Sequence, residues 1–356
     1  MADSRNISSR IRRVLFYLLP VVLLYVILSR VDFVRLLDSL QDTTLLYILL
    51  GVSLRPLQMV LGAFRWRLIA NHCAKTHLSA WFMLTEYWAG VAVGYFTPGG
   101  IGWEAYRIMA LGRRLKAYMT AFITILAEKI IGLCVVLTMC LVMFPLVINR
   151  MTVDTAFFQK AYIFLLVAVL AGVLFGIAAY KARTHPWVQH VREYGDRFIE
   201  KRIRSIRNER MAEAVLRDYR KSHNPLTILQ HPSLLAVAFL YSVGILATAA
   251  VCSQLIFLGL NHQIHFLVNL FAAPVFFLIF LVPISFGGLG VREGAFIVVY
   301  GLFGVPLEIA LLVSFFNLFG LLLNNAIGAG LLWRSDALTR NERKRGGHPQ
   351  PVEEDV

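Results

Sequence analysis

Hydrophobic residues gather into long runs along this chain, at 14–29, 43–64, 76–103, 117–149, 161–180, 232–260, 264–291, 294–307 and 309–333, with short polar stretches between them. From Ser222 to Val291 there is no Asp, Glu, Lys or Arg in 70 consecutive residues. A helix that crosses a bilayer needs about 20 apolar residues. In lipid every backbone N–H and C=O must be satisfied internally, and runs of this length do so as helices. The pattern predicts an all-α polytopic membrane protein. The run at 14–29 follows Arg5, Arg10, Arg12 and Arg13 and is succeeded by "SRVDF", with no small-residue cleavage site. It reads as a retained first helix rather than a signal peptide.

One sizeable hydrophilic segment, 181–221, interrupts the runs and carries twelve Lys/Arg against six Asp/Glu. Trp187, Val191, Tyr194 and Phe198 fall at helical spacing within it. It is expected to be an amphipathic connector lying on the membrane surface, or a solvated elbow between two halves. The expected organisation is a first membrane half at 1–180, a connector at 181–231, a second half at 232–333 and a tail at 334–356. The net charge of +14 does not point to nucleic acid, because the cations cluster at run ends and in the connector. That is how the positive-inside rule distributes them. The four cysteines have no metal or redox spacing, and no metal or cofactor is expected. His262 and His265 alone are a weak metal signal.

Charge counting then sets the topology. The N-terminal segment, the connector and the C-terminal Arg334, Arg340, Arg343, Lys344 and Arg345 should share the cytoplasmic side. Asp32, Asp38 and Asp42 suit the outside. If 76–96 crossed fully, Arg113, Arg114 and Lys116 would face outward and every later segment would invert. The conflict disappears if 76–116 enters and leaves from the cytoplasm. By the same count, 264–307 enters and leaves from the exterior. The expectation is two inverted repeats, each with a glycine-rich re-entrant hairpin, and about six full spans in all. A ladder of eight or nine full spans is the alternative.

The two hairpins carry related turns, "TPGGIGWEAYR" at 97–107 and "SFGGLGVREGA" at 285–295. Glycine reaches positive φ without steric cost, so Gly99, Gly100 and Gly102, and Gly287, Gly288 and Gly290, can break a helix at membrane depth. Helices are expected to restart after Gly102 and Gly290, with free N–H groups aimed at an anion. Close helix packing through small residues is the other reading. Ionisable residues inside the runs are Arg55, Glu86, Glu104, Arg107, Glu128, Lys129, Arg292, Glu293 and Glu308. Each costs about 2.5–3.5 kcal/mol at a helix centre on insertion scales and needs a partner or a task. Together they argue for a polar cavity. Asn317 and Asn324 share a face of the last run, as interhelical hydrogen bonding would require.

Four stretches, "RW" at 65–66, "TPGGIGWEAYR", "LAEKIIGL" and "VPISFGGLGVREGAF", resemble the flippase-like family built on the membrane region of lysylphosphatidylglycerol synthases. The resemblance covers about 14–333 and implies roles for Gly99, Glu104 and Arg107, with Trp103 an added residue before the acid. It also implies a role for the pair Glu128 and Lys129, while an Arg usual in the last span is replaced, by Asn317. Only 23 residues follow Trp333, too few for the soluble aminoacyl-transfer domain. The resemblance therefore implies lipid translocation rather than an enzyme. The expected protein is a bacterial inner-membrane translocase for an anionic phospholipid or a polyprenyl-phosphate-linked intermediate. Arg107 and Arg292 would attract the phosphate, and Glu104, Glu128 and Glu293 would hold the cations or carry protons. Two alternatives are a helper that presents lipid to a glycosyltransferase or lipid-modifying enzyme, and a small-solute transporter.

Overall fold

The computed structural model describes residues 22, 24–41, 43–97, 100–182, 194, 197–198, 200–205, 213, 216–219, 231–281 and 290–344. Gly99, Gly287 and Gly288, most of the first apolar run and much of the connector, Trp187 and Val191 included, lie outside the described residues. The described helices are α1 (Phe33–Gln41), α2 (Leu45–Ser53), α3 (Arg55–Ala74), α4 (Ala80–Tyr95), α5 (Ile101–Leu115), α6 (Tyr118–Val147), α7 (Ala156–Ala182), α8 (Pro232–Gly259), α9 (Phe266–Phe280), α10 (Val291–Gly301) and α11 (Leu307–Lys344).

Among the described residues, four stretches are long and apolar enough to cross a membrane: Leu45–Ala74, Tyr118–Arg150, Pro232–Gly259 and Leu307–Arg334. Ala156–Gly172 and Phe266–Phe280 are shorter apolar helices. The first long stretch is kinked. Leu54 separates α2 from α3, and Pro56 in the first turn of α3 has no N–H to give the carbonyl four residues back. Pro145 in α6 likewise withholds a bond from Leu141, and the Tyr162 hydroxyl of α7 donates to that carbonyl instead, at 3.3 Å. Lys75 and Lys116 close α3 and α5 in left-handed conformations, with φ of 50° and 52°. Their positive charges lie at helix C-termini, where the macrodipole favours them.

Two sets of contacts define the ends of the helical body. At one end the His72 and His231 rings lie 4.5 Å apart, and Asn71 Oδ1 accepts from the Leu78 amide at 2.8 Å. At the other, Thr44 donates to the Gly259 carbonyl at 2.8 Å and Thr152 to the Leu302 carbonyl at 2.9 Å. α5 packs back along α4: a Cβ at Gly94 would lie 2.7 Å from Trp103 Cβ, while the Arg114 guanidinium sits over the Phe82 ring at the far end. α10 packs back along α9 in the same manner, with Phe276 and Phe296 stacked at 4.2 Å and the Tyr300 hydroxyl donating to Asn269 Oδ1 at 2.8 Å.

The two largest apolar clusters among the described residues hold these helices. One gathers Trp66, Met83, Tyr87, Leu111 and Ile125 from α3 to α6. The other gathers Ile256, Phe257, Phe276, Phe296 and Val313 from α8 to α11. Lipid tails are as apolar as these side chains, so dispersion and close fit rather than the hydrophobic effect drive this packing. Gly90 shows the fit, since a Cβ there would lie 2.7 Å from Trp103 Cδ1.

Candidate functional site

Helix α5 starts at Ile101, behind Gly100 at φ 70°, two residues earlier than the sequence pattern predicts. Gly102 is therefore inside the helix. The positive-φ residue alone ends the turn, and nothing delays the helix beyond it. The Gly102 amide donates to Thr97 Oγ1 at 2.9 Å. Helix α10 starts after Gly290, at φ 77°, as predicted. The Gly290 amide donates to Glu293 Oε2 at 2.6 Å. At both restarts the chain's own side chains take up an amide expected to face a ligand.

The charges beyond the first turn are tightly gathered. Glu128 on α6 accepts from Arg107 Nη1 at 2.8 Å with one oxygen and from Arg65 Nη2 at 2.7 Å with the other. Arg107 is 1% exposed and its guanidinium lies 4.8, 4.8 and 4.9 Å from the ring centres of Trp66, Tyr87 and Trp103. Cation–π attraction and the ion pair together enclose it. Arg65 also donates to Ser242 Oγ on α8 at 2.8 Å. Lys129 pairs with Glu104. Glu86 bonds Tyr106 across α4 and α5. Beyond the second turn Arg292 pairs with the adjacent Glu293, and both are buried. Glu308 is half-buried in the first turn of α11.

Arg55 is different. Its Nη1 donates to Gln58 Oε1 at 3.3 Å, and among the described residues no carboxylate pairs with it. Its Nε and Gln58 Nε2 are buried without a partner. Both residues line a cavity of 180 Å³ beside the α2–α3 break, with Ser253, Asn269 and Tyr300 as its other polar walls. One water needs only about 10–15 Å³ measured in this way. Arg292 lies within electrostatic range of Arg55 and keeps a buried, unpartnered Nη1. Phe277 and Phe280 also line the cavity and are 40% and 42% exposed, so its rim reaches the protein surface between apolar side chains.

This geometry combines a helical body with long apolar stretches, buried and paired charged groups, and a cavity whose largely apolar walls carry a few polar side chains. The family model of the lysylphosphatidylglycerol synthase TM region matches residues 11–328. The chain belongs to this family. No curated protein and no solved structure matches it. As a member of the lysylphosphatidylglycerol synthase TM region family it is a multi-pass membrane protein, and the match covers the membrane region of those synthases.

The structure thus brings Glu104, Arg107, Glu128 and Lys129 together and keeps Arg292 and Glu293 as a separate pair. It places Arg55 apart from every described carboxylate. Arg65, with its aromatic neighbours Trp66 and Tyr87, joins the first cluster although sequence spacing gave it no site role. Its signal was present in "RW", but it lies just past an apolar run and reads as a loop cation. The helix continues to Ala74 and carries Arg65 inside.

Proposed function

We propose that this protein is a lipid translocase that moves a phosphate-bearing lipid headgroup between leaflets, with Arg55 as the group that meets the phosphate. The carrying observation is the cavity at the α2–α3 break, where a guanidinium without a described carboxylate partner stands beside Gln58, Ser253, Asn269 and Tyr300. An unpaired cation at membrane depth is costly, about 2.5–3.5 kcal/mol on insertion scales, and an anion would offset that cost. Arg107 and Arg292 are each engaged by a carboxylate, so the phosphate contact passes from them to Arg55, with Arg292 Nη1 behind it. The cargo would be an anionic phospholipid or a polyprenyl-phosphate-linked intermediate. The exposed rim at Phe277 and Phe280 favours a ligand whose tails stay in lipid over a small solute enclosed on all sides.

The scaffold for this activity is two re-entrant hairpins in opposite orientations, α4–α5 and α9–α10. The packing of α5 back along α4 and of α10 back along α9 supports that arrangement. So does the meeting of His72 with His231 at one end and of Thr152 with Leu302 at the other. In this reading the end bearing Lys75, Lys116 and the connector faces the cytoplasm of a bacterial inner membrane.

The test is native mass spectrometry of protein purified in mild detergent, comparing wild type with Arg55→Gln. The expected result is an anionic lipid enriched in the wild type and lost in the variant. Unselective lipid that the variant retains equally overturns the assignment.

A further inference from the structure

We infer a second anion station at Arg65, Arg107 and Glu128, separated from the Arg55 cavity by an apolar gate centred on Leu246. This rests on the translocase reading above and extends it to the route. Arg55, Gln58 and Arg65 share one face of α3 at helical spacing, and the ten residues from Arg55 to Arg65 rise about 15 Å. That is half of the roughly 30 Å hydrocarbon core.

Two guanidiniums share the single carboxylate of Glu128, so the trio carries one positive charge in excess. The neighbouring Lys129–Glu104 pair adds no net charge. Buried charge calls for compensation. Arg65 Nε and Arg107 Nε are both buried without a partner, which leaves donors for an anion. Ser242 Oγ on α8 accepts from Arg65 and donates to the Ala238 carbonyl, which fixes the guanidinium, and Gly132 on α6 lies against it, with Arg65 Nη1 3.5 Å from where a Cβ would be.

Leu246 stands one turn along α8 from Ser242 and itself lines the Arg55 cavity. It packs with Val135 and Val136 of α6, one turn beyond Gly132. Val243, Met139, Ala273 and Leu278 pack against the same cluster. A phosphate moving from Arg55 to Arg65 must pass this layer, and opening it requires α8 to shift against α6.

The experiment reconstitutes the protein in phosphatidylcholine vesicles with a trace of fluorescent phosphatidylglycerol and follows its exposure to dithionite. Leu246→Trp should slow translocation about tenfold or more, and Leu246→Ala should speed it. Arg65→Gln should slow it while the lipid bound at Arg55 still copurifies. A wild-type rate in both Leu246→Trp and Arg65→Gln overturns the route, as does loss of copurified lipid from Arg65→Gln. Release of entrapped inorganic phosphate through the wild type, without lipid movement, would make free phosphate the ligand and also overturn it. A wild type that moves neither lipid nor phosphate sinks the translocase reading itself.

Discussion

Gly320 of α11 lies directly under Arg55: a Cβ there would sit 2.4 Å from Arg55 Cγ and 3.2 Å from its Cβ. The absent side chain sets the path of the arginine into the cavity. Gly320→Ala should push the stem aside. Overpacking of this kind costs about 1–3 kcal/mol, and a mid-helix Gly→Ala change returns up to about 1 kcal/mol. The stem can yield, so thermal stability should change little. Copurified anionic lipid should fall sharply. Lipid retention at the wild-type level would show that Arg55 reaches its ligand by another path.

Arg55→Met separates function from stability by sign. Methionine keeps the length of the stem and removes a charge that no described carboxylate balances. The variant should unfold at a higher temperature, by up to the about 2.5–3.5 kcal/mol that an unpaired membrane cation costs. It should also lose selective lipid binding. A lower unfolding temperature would mean that Arg55 holds the fold and would count against its role as a ligand group.

Glu128→Gln should act in the opposite direction. The change leaves Arg65 and Arg107 facing each other with no carboxylate between them. Removing one partner of a buried ion pair costs about 3–5 kcal/mol, and three aromatic rings around Arg107 offset only part of that. Detergent-solubilised protein should therefore unfold at a markedly lower temperature. A variant with Arg107→Met added should recover some of the loss, since one uncompensated charge goes. An unchanged unfolding temperature in Glu128→Gln would place the energetic centre elsewhere.

The apolar runs made the helices legible, because lipid leaves the backbone few alternatives to helix. The Gly100 and Gly290 breaks were legible too, since positive φ and charge after an apolar run stand out. Partner choice was not. Glu128 takes Arg65 from 63 residues away and Arg107 from 21 residues away, while Arg55, equally visible as a charge in an apolar run, takes none among the described residues. Sequence marks which residues are costly in a membrane; only packing decides which are compensated. That is why the sequence reading gave the phosphate to Arg107, whereas the proposal gives it to Arg55, which no described carboxylate engages. The start of α5 was misplaced by two residues for a local reason, Gly100 being sufficient for the turn without Gly102.

The connector touches the membrane body through Asp218. Its carboxylate accepts from the Met119 amide and, at 3.1 Å, from the Thr120 hydroxyl, both in the first turn of α6. Ala117, the residue before α6, has no side chain to cap those amides. Asp218 therefore caps α6 from 99 residues away, and its negative charge meets the positive end of the helix. Loss of such a cap costs about 0.5–2 kcal/mol, felt mainly within the first turn. Asp218→Ala should speed hydrogen exchange at residues 118–122 and in the connector, and Asp218→Asn should do so less, because the amide oxygen still accepts. Glu128 lies ten residues further along α6, beyond the frayed turn, so exchange there should stay as in the wild type. Equal exchange at 118–122 in all three proteins would mean that the cap contributes nothing to holding α6 and that the connector docks by other contacts.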